Sequence, residues 1–178
     1  LGGFGYIGAG QKVLKYDLST MTFVSEVTVP GSTLLYTAMN DGTTFGYFGT
    51  GRSVGPAKIN KVNLLTMTSI GTLTLDSAQK IAKGIIVDGF AYYAGANTPG
   101  RLYKIDLSTF LKVGEATSES DQYFSNSAST DGTFAYLGTT RPKPGSAVKF
   151  SLDFGCSTPA PTPAPTPEPT PAPTPEPT

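Results

Sequence analysis

The chain has 178 residues, with 13 Lys+Arg against 13 Asp+Glu, one Cys, 21 Gly, 15 Pro and neither His nor Trp. Zero net charge gives no basic surplus to neutralise phosphates, so no nucleic-acid partner is expected. Without His there is no Ser-His or Cys-His catalysis and no imidazole ligand, and one Cys makes neither an intrachain disulfide nor a thiolate zinc site.

No apolar run approaches the roughly 18 residues of a membrane span. No signal peptide is visible. The chain opens at Leu1 rather than Met, so it is expected to be processed or a fragment, and the missing signal says nothing about its compartment.

From the first residues onward, a repeat organises the chain. Phe4-Gly5-Tyr6-Ile7-Gly8 matches Phe45-Gly46-Tyr47-Phe48-Gly49, Phe90-Ala91-Tyr92-Tyr93-Ala94 and Phe134-Ala135-Tyr136-Leu137-Gly138. The tyrosines stand 41, 45 and 44 residues apart. A second motif follows each: KVLKYDLST from Lys12, KINKVNLLT from Lys58, RLYKIDLST from Arg101 and SAVKFSLDF from Ser146. A third follows the first three: FVSEVTV, SIGTLTL and LKVGEAT. Every piece is short, alternating and rich in Val, Ile, Tyr, Phe and Thr, which predicts strands.

Asp41-Gly42, Asp88-Gly89 and Asp131-Gly132 precede the aromatic strands. Asp-Gly between such runs predicts a type I′ hairpin, whose central residues need positive φ. The only stretch with a hint of helical period is Ser77 to Lys83, and it is short.

A period of about 44 residues carrying four strands is a propeller blade. In the third repeat the strands are expected at Ala82–Asp88, Phe90–Ala96, Arg101–Leu107 and Leu111–Thr117. Only Leu1-Gly2-Gly3 precede Phe4, so the first blade lacks its inner strand, and the fourth lacks its outer strand because a Pro tail follows Cys156. The expected tally is three, four, four and three strands. The expected fold class is therefore all-β, about 3.5 blades and 14 strands over residues 1–156, with a tail over 157–178. Either the chain belongs to a larger ring, or neighbouring copies complete the ends, since unpaired edges template another chain.

The segment VDGFAYYAGANTPGRLYKIDLSTF resembles the YVTN-type propeller repeat, with its D-G hairpin, aromatic A-Y strand and I-D followed by Thr. The resemblance extends from Leu1 to about Phe154 and implies the fold. It leaves function open, because propellers host many activities.

Within the second motif, Leu14, Tyr16 and Leu18 share one face, as do Tyr103, Ile105 and Leu107, and Val148, Phe150 and Leu152. The other face carries Lys15-x-Asp17, Lys61-x-Asn63 and Lys104-x-Asp106. This row is expected to be an exposed polar ladder, repeated because the blade is repeated, rather than a ligand site. Tyr6, Tyr47, Tyr92 and Tyr136 are expected to pack in the core rather than stack on sugars. Glu119 and Asp121 form the one acidic cluster and read as a solvated loop. No catalytic residue, metal ligand or cofactor is assigned, and no enzyme activity is expected.

From Thr158 the sequence is TPAP-TPAP-TPEP-TPAP-TPEP-T. Proline at alternate positions forbids helix and central strand and favours extended polyproline II, about 65 Å over this tail at ~3.1 Å per residue. Thr/Pro composition marks O-glycosylated stalks. The O-glycan candidates are Thr158, Thr162, Thr166, Thr170, Thr174 and Thr178. The tail also resembles hydroxyproline-rich glycoproteins. That resemblance implies hydroxylation and glycosylation at Pro159, Pro161, Pro163, Pro165, Pro167, Pro169, Pro171, Pro173, Pro175 and Pro177. The plain alternative is a disordered spacer. Cys156 is a candidate intermolecular disulfide, with a buried free thiol as the alternative.

Blades joined to such a tail resemble subunits of extracellular appendages such as mastigoneme-like filaments. The expected role is an extracellular structural subunit that forms a homo-oligomer or helical polymer and carries covalent glycans. The alternative is a carbohydrate- or protein-binding propeller module.

Overall fold

The computed structural model describes residues 2–31, 34–51, 55–75, 80–119, 122–141 and 145–154. The tail from Thr158 to Thr178, with its Thr and Pro candidates, lies outside them, as do Cys156, Asp121 and residues 77–79.

Among the described residues, fourteen strands form four antiparallel sheets. The first contains β1 (Phe4–Ala9), β2 (Lys12–Asp17) and β3 (Thr22–Thr28). The second contains β4 (Leu35–Asn40), β5 (Phe45–Thr50), β6 (Ala57–Asn63) and β7 (Thr68–Leu75). The third contains β8 (Ile81–Val87), β9 (Phe90–Gly95), β10 (Arg101–Asp106) and β11 (Leu111–Thr117). The fourth contains β12 (Tyr123–Thr130), β13 (Phe134–Arg141) and β14 (Ala147–Ser151). Each sheet is a meander of sequence neighbours, and none closes into a barrel. This is the three-four-four-three count expected from the repeat. Lys83, where a helical hint ended, lies within β8.

The sheets stack as blades. β4 packs beside β8 and β8 beside β12, so the first strands of the second, third and fourth blades line the inner side of the arc. Between blades lie three apolar clusters among the described residues. Val13 and Val29 of the first blade meet Leu35, Phe48, Val62 and Leu64 of the second. Tyr47, Ile59 and Leu75 meet Ile81, Tyr93, Tyr103 and Ile105. Tyr92 and Leu102 meet Phe124, Leu137 and Leu152. Alternation along each strand places one row of apolar residues against the preceding blade and the other against the following one. The core is therefore a series of joints between sheets.

Turn chemistry departs from the expectation at two hairpins. Asp88 and Gly89 both have positive φ, 48° and 78°, as a two-residue I′ turn requires. Asp41-Gly42 and Asp131-Gly132 sit in longer loops, where only the glycine has positive φ. There the aspartate closes the loop by accepting hydrogen bonds. Asp41 Oδ1 accepts from the amides of Thr43, Thr44 and Phe45 at 2.9, 2.9 and 3.0 Å. Asp131 Oδ1 accepts from Thr133 and Phe134 at 2.9 and 2.7 Å.

A bulge recurs between the last two strands of the first three blades. The register shifts after Lys15, Lys61 and Lys104, leaving Val24, Ile70 and Val113 as the extra residues of β3, β7 and β11. All three are exposed. A bulged edge twists away from flat strand pairing, which blunts the outer edge of these blades.

Candidate functional site

The repeated Lys/Asp row does not behave as an exposed ladder. Lys61 and Lys104 are buried. Each crosses the joint to the following blade: Lys61 Nζ donates to the Leu107 carbonyl at 3.1 Å, and Lys104 Nζ to the Leu152 carbonyl at 2.9 Å. Each also stands over the aromatic pair of its neighbouring strand. Lys61 lies 4.4 Å from the Phe45 centroid and 5.7 Å from Tyr47; Lys104 lies 4.5 Å from Phe90 and 5.6 Å from Tyr92. An ammonium held over ring faces and bonded to a carbonyl recovers part of its lost hydration. The exposure expected of Lys61 and Lys104 failed because the acceptor is a main-chain oxygen in another repeat, which side-chain identity does not advertise.

The acidic partners in the row serve their own turns. Asp17 Oδ1 accepts from Ser19 N, Ser19 Oγ and Thr20 N at 2.8, 2.6 and 3.2 Å. Asp106 does the same with Ser108 and Thr109, and Asn63 with the amides of Leu65 and Thr66. Hydrogen bonds from the Ser19 and Ser108 hydroxyls, helped by turn amides, lower the pKa values of Asp17 and Asp106. The D-L-S-T motif is thus an Asx-type turn, in which the carboxylate stands in for a backbone acceptor. Met21, Met67 and Phe110 complete these turns with φ of 54°, 51° and 56°.

The repeated tyrosines face the same joints. Tyr47 and Tyr92 are buried, as expected for core positions, whereas Tyr6 and Tyr136 are only partly so. Tyr6 Oη donates to the Leu64 carbonyl at 3.1 Å, and Tyr92 Oη to the Leu152 carbonyl at 3.1 Å. Burial, with a smaller push from Asp41, raises the Tyr47 pKa to about 12. All three interior joints therefore share one polar device: a Lys or Tyr of one blade donates to a Leu carbonyl of the next.

The two ends expose halves of this device. On the first blade, Leu18 is 53% exposed, whereas its equivalents Leu64, Leu107 and Leu152 are 1%, 9% and 5% exposed. Ile7 is 54% exposed, whereas Phe48, Tyr93 and Leu137 at the same repeat position are 1%, 0% and 1%. On the fourth blade, Lys149 is exposed and stands 3.6 Å from the Phe134 centroid and 5.7 Å from Tyr136. Tyr136 Oη turns back onto Asp131 Oδ2 at 2.7 Å.

β1 also lacks the inner neighbour that β5, β9 and β13 possess. Two hollows of about 230 Å³ each lie between β1 and β4. Tyr6 and Ala38 line both, with Asn40 in one and Ile7 and Tyr36 in the other. Among the described residues no group of three His, Cys, Asp or Glu side chains is placed to hold a metal, and no helix is long and apolar enough to cross a membrane. Glu119 is described, and its cluster partner Asp121 is not.

No family model matches the sequence, and no curated protein matches it. Solved structures do match in fold. The Kuenenia stuttgartiensis hydrazine synthase superposes with a TM-score of 0.72 at 18% identity, over 86% of this chain and 44% of that one. The chain thus spans less than half the length of that relative. The computationally designed Ika4 protein superposes with a TM-score of 0.61 at 12% identity, over 84% of this chain and 85% of that one. At these identities the likeness establishes the fold, an arc of antiparallel β-propeller-type blades, and carries no activity across.

Proposed function

We propose that this protein is the structural subunit of an extracellular filament or coat, assembling end to end and carrying its Thr/Pro tail as an O-glycosylated rod. In this reading the blades are YVTN-like, the tail is of the hydroxyproline-rich type, and the molecule is similar to mastigoneme-like appendage proteins. It performs no catalysis. The carrying observation is the pair of three-stranded end blades, whose Ile7 and Leu18 on one side and Lys149 on the other are exposed at positions buried inside the arc. Large apolar residues left open at such positions mark an association surface. A contact repeated head to tail without closing yields a filament.

Electron microscopy of the native material at subunit resolution tests this. Filaments with neighbouring copies at both end blades, and extra density along the tail, are expected. Deleting residues 158–178 should leave the blades folded and remove the carbohydrate mass. Unchanged glycan mass after deletion would overturn the tail assignment.

A second reading is a section of a larger closed propeller that serves as a carbohydrate- or protein-binding module. It is favoured by the match to less than half of the hydrazine synthase chain. Discrete closed particles whose native chain is longer than this sequence would decide for it.

A further inference from the structure

The three interior joints give a rule for what should meet each end. At every joint the leading blade offers a donor: Tyr6 at the first, and at the other two a lysine above its Phe/Tyr pair. The trailing blade offers a Leu carbonyl, the side chain of that leucine, and an apolar residue of its second strand. Between the second and third blades these are Lys61, Leu107 and Tyr93; between the third and fourth they are Lys104, Leu152 and Leu137. The fourth blade repeats the leading half with Lys149 over Phe134 and Tyr136. The first blade repeats the trailing half with Leu18 and Ile7.

From this we infer that the joint between copies is a fourth instance of the interior joint, in which Lys149 of one copy donates to the Leu18 carbonyl of the next while Ile7 and Leu18 pack on Phe134 and Tyr136. This rests on the end-to-end reading above and specifies its contact: blade faces stack, and strand edges do not pair. A second copy is the occupant because each end carries the complement of the other. The bulges in β3, β7 and β11 make the outer edges of the first three blades poor templates for an added strand. The second blade forms its charged bond with lysine alone, so Tyr136 can keep its bond to Asp131 in the assembled state.

The test uses the full chain and sedimentation velocity over a concentration series. A front variant carries Ile7→Asn and Leu18→Asn, and a back variant carries Lys149→Glu. All three residues are exposed, so both variants should fold, which circular dichroism checks. If either fails to fold, Ile7→Thr or Lys149→Met replaces it.

Each variant should need at least about a hundredfold more protein to assemble, because a buried polar or charged group is left facing an unmatched surface. Mixed one to one, they should give a two-copy complex and nothing longer. One good joint then forms, between the back of the front variant and the face of the back variant. Variants that assemble like the parent overturn the joint and leave the filament reading standing. A parent chain that remains a single copy at all concentrations overturns both. A parent that stops at a closed pair supports the joint and overturns the filament.

Discussion

Lys104 Nζ donates to the carbonyl of Leu152 at 2.9 Å, across 48 residues of sequence and from one blade to the next. The same carbonyl accepts from Tyr92 Oη at 3.1 Å, so one main-chain oxygen collects two donors from the neighbouring sheet. Apolar packing between sheets is non-directional. A lysine that must find one carbonyl fixes the angular register that packing leaves loose.

Lys104 and Lys149 occupy the same repeat position, one buried and one exposed. Lys104→Ala removes a charge-assisted hydrogen bond, a cation–ring contact and buried stem, and should cost about 2–3 kcal/mol. Lys149→Ala should cost about 0.5 kcal/mol or less in dilute solution, where copies are apart. Urea unfolding midpoints check the contrast. Equal shifts would mean that the interblade bond adds nothing to stability.

Small residues are required where blades approach most closely. A Cβ built on Gly49 would lie 2.6 Å from Thr37 Oγ1 and 2.9 Å from Ile81 Cγ2, at the joint between the second and third blades. Both neighbours are buried and β-branched, so neither swings aside easily. Gly49→Ala should destabilise by about 1–3 kcal/mol, and Gly49→Val by more. Thermal unfolding followed by tyrosine fluorescence reads the effect. A neutral Gly49→Val would show that this joint has slack.

Two Asp-Gly hairpins of different construction should respond differently to substitution. Asp41→Ala strands the loop amides that its carboxylate serves and should cost about 1–2 kcal/mol. Asp88 contributes a backbone conformation with φ of 48°, which Asn adopts readily. Asp88→Asn should therefore change stability by about 0.5 kcal/mol or less, while Asp88→Val should cost more. Chemical denaturation of the three variants is the check.

Asp131 supplies the acid response of the last blade. The hydrogen bond from Tyr136 Oη, then the amides of Phe134 and Thr133, hold its pKa at about 2. An unfolded aspartate titrates near ~3.9. The folded state thus binds fewer protons between these values. The stabilisation is complete above about pH 4 and is lost as pH falls through about 2. The same bond raises the Tyr136 pKa. Tyr136→Phe should move the Asp131 titration upward toward the ordinary value, read from its carboxyl carbon shift against pH. An unmoved titration would show that the amides alone hold it.

Strand positions were readable because a strand and its turn are encoded by adjacent residues. Alternation around Tyr6, Tyr47, Tyr92 and Tyr136 places β1, β5, β9 and β13, and the third repeat agrees to within a residue at either end of each strand. The three-stranded first and fourth sheets followed from counting repeats. The turns at Asp41 and Asp131 were legible as turns but not by type, because type depends on loop length and on the φ of the central residues, which an Asp-Gly pair alone does not set.

Local pattern was enough to determine an all-β repeat of meanders with three-stranded sheets at both ends, since period-two alternation and Asp-Gly punctuation act over a few residues. Tertiary structure alone decided that Lys61 and Lys104 of the lysine row are buried and not part of a solvated ladder. The acceptors for Lys61 and Lys104 are backbone carbonyls 46 and 48 residues away, and every residue has a carbonyl. Which of them becomes a partner depends on how one sheet is set against the next. That same stacking separates Leu18 from Leu64, Leu107 and Leu152: four leucines in equivalent repeats, three covered by a preceding blade and one left open.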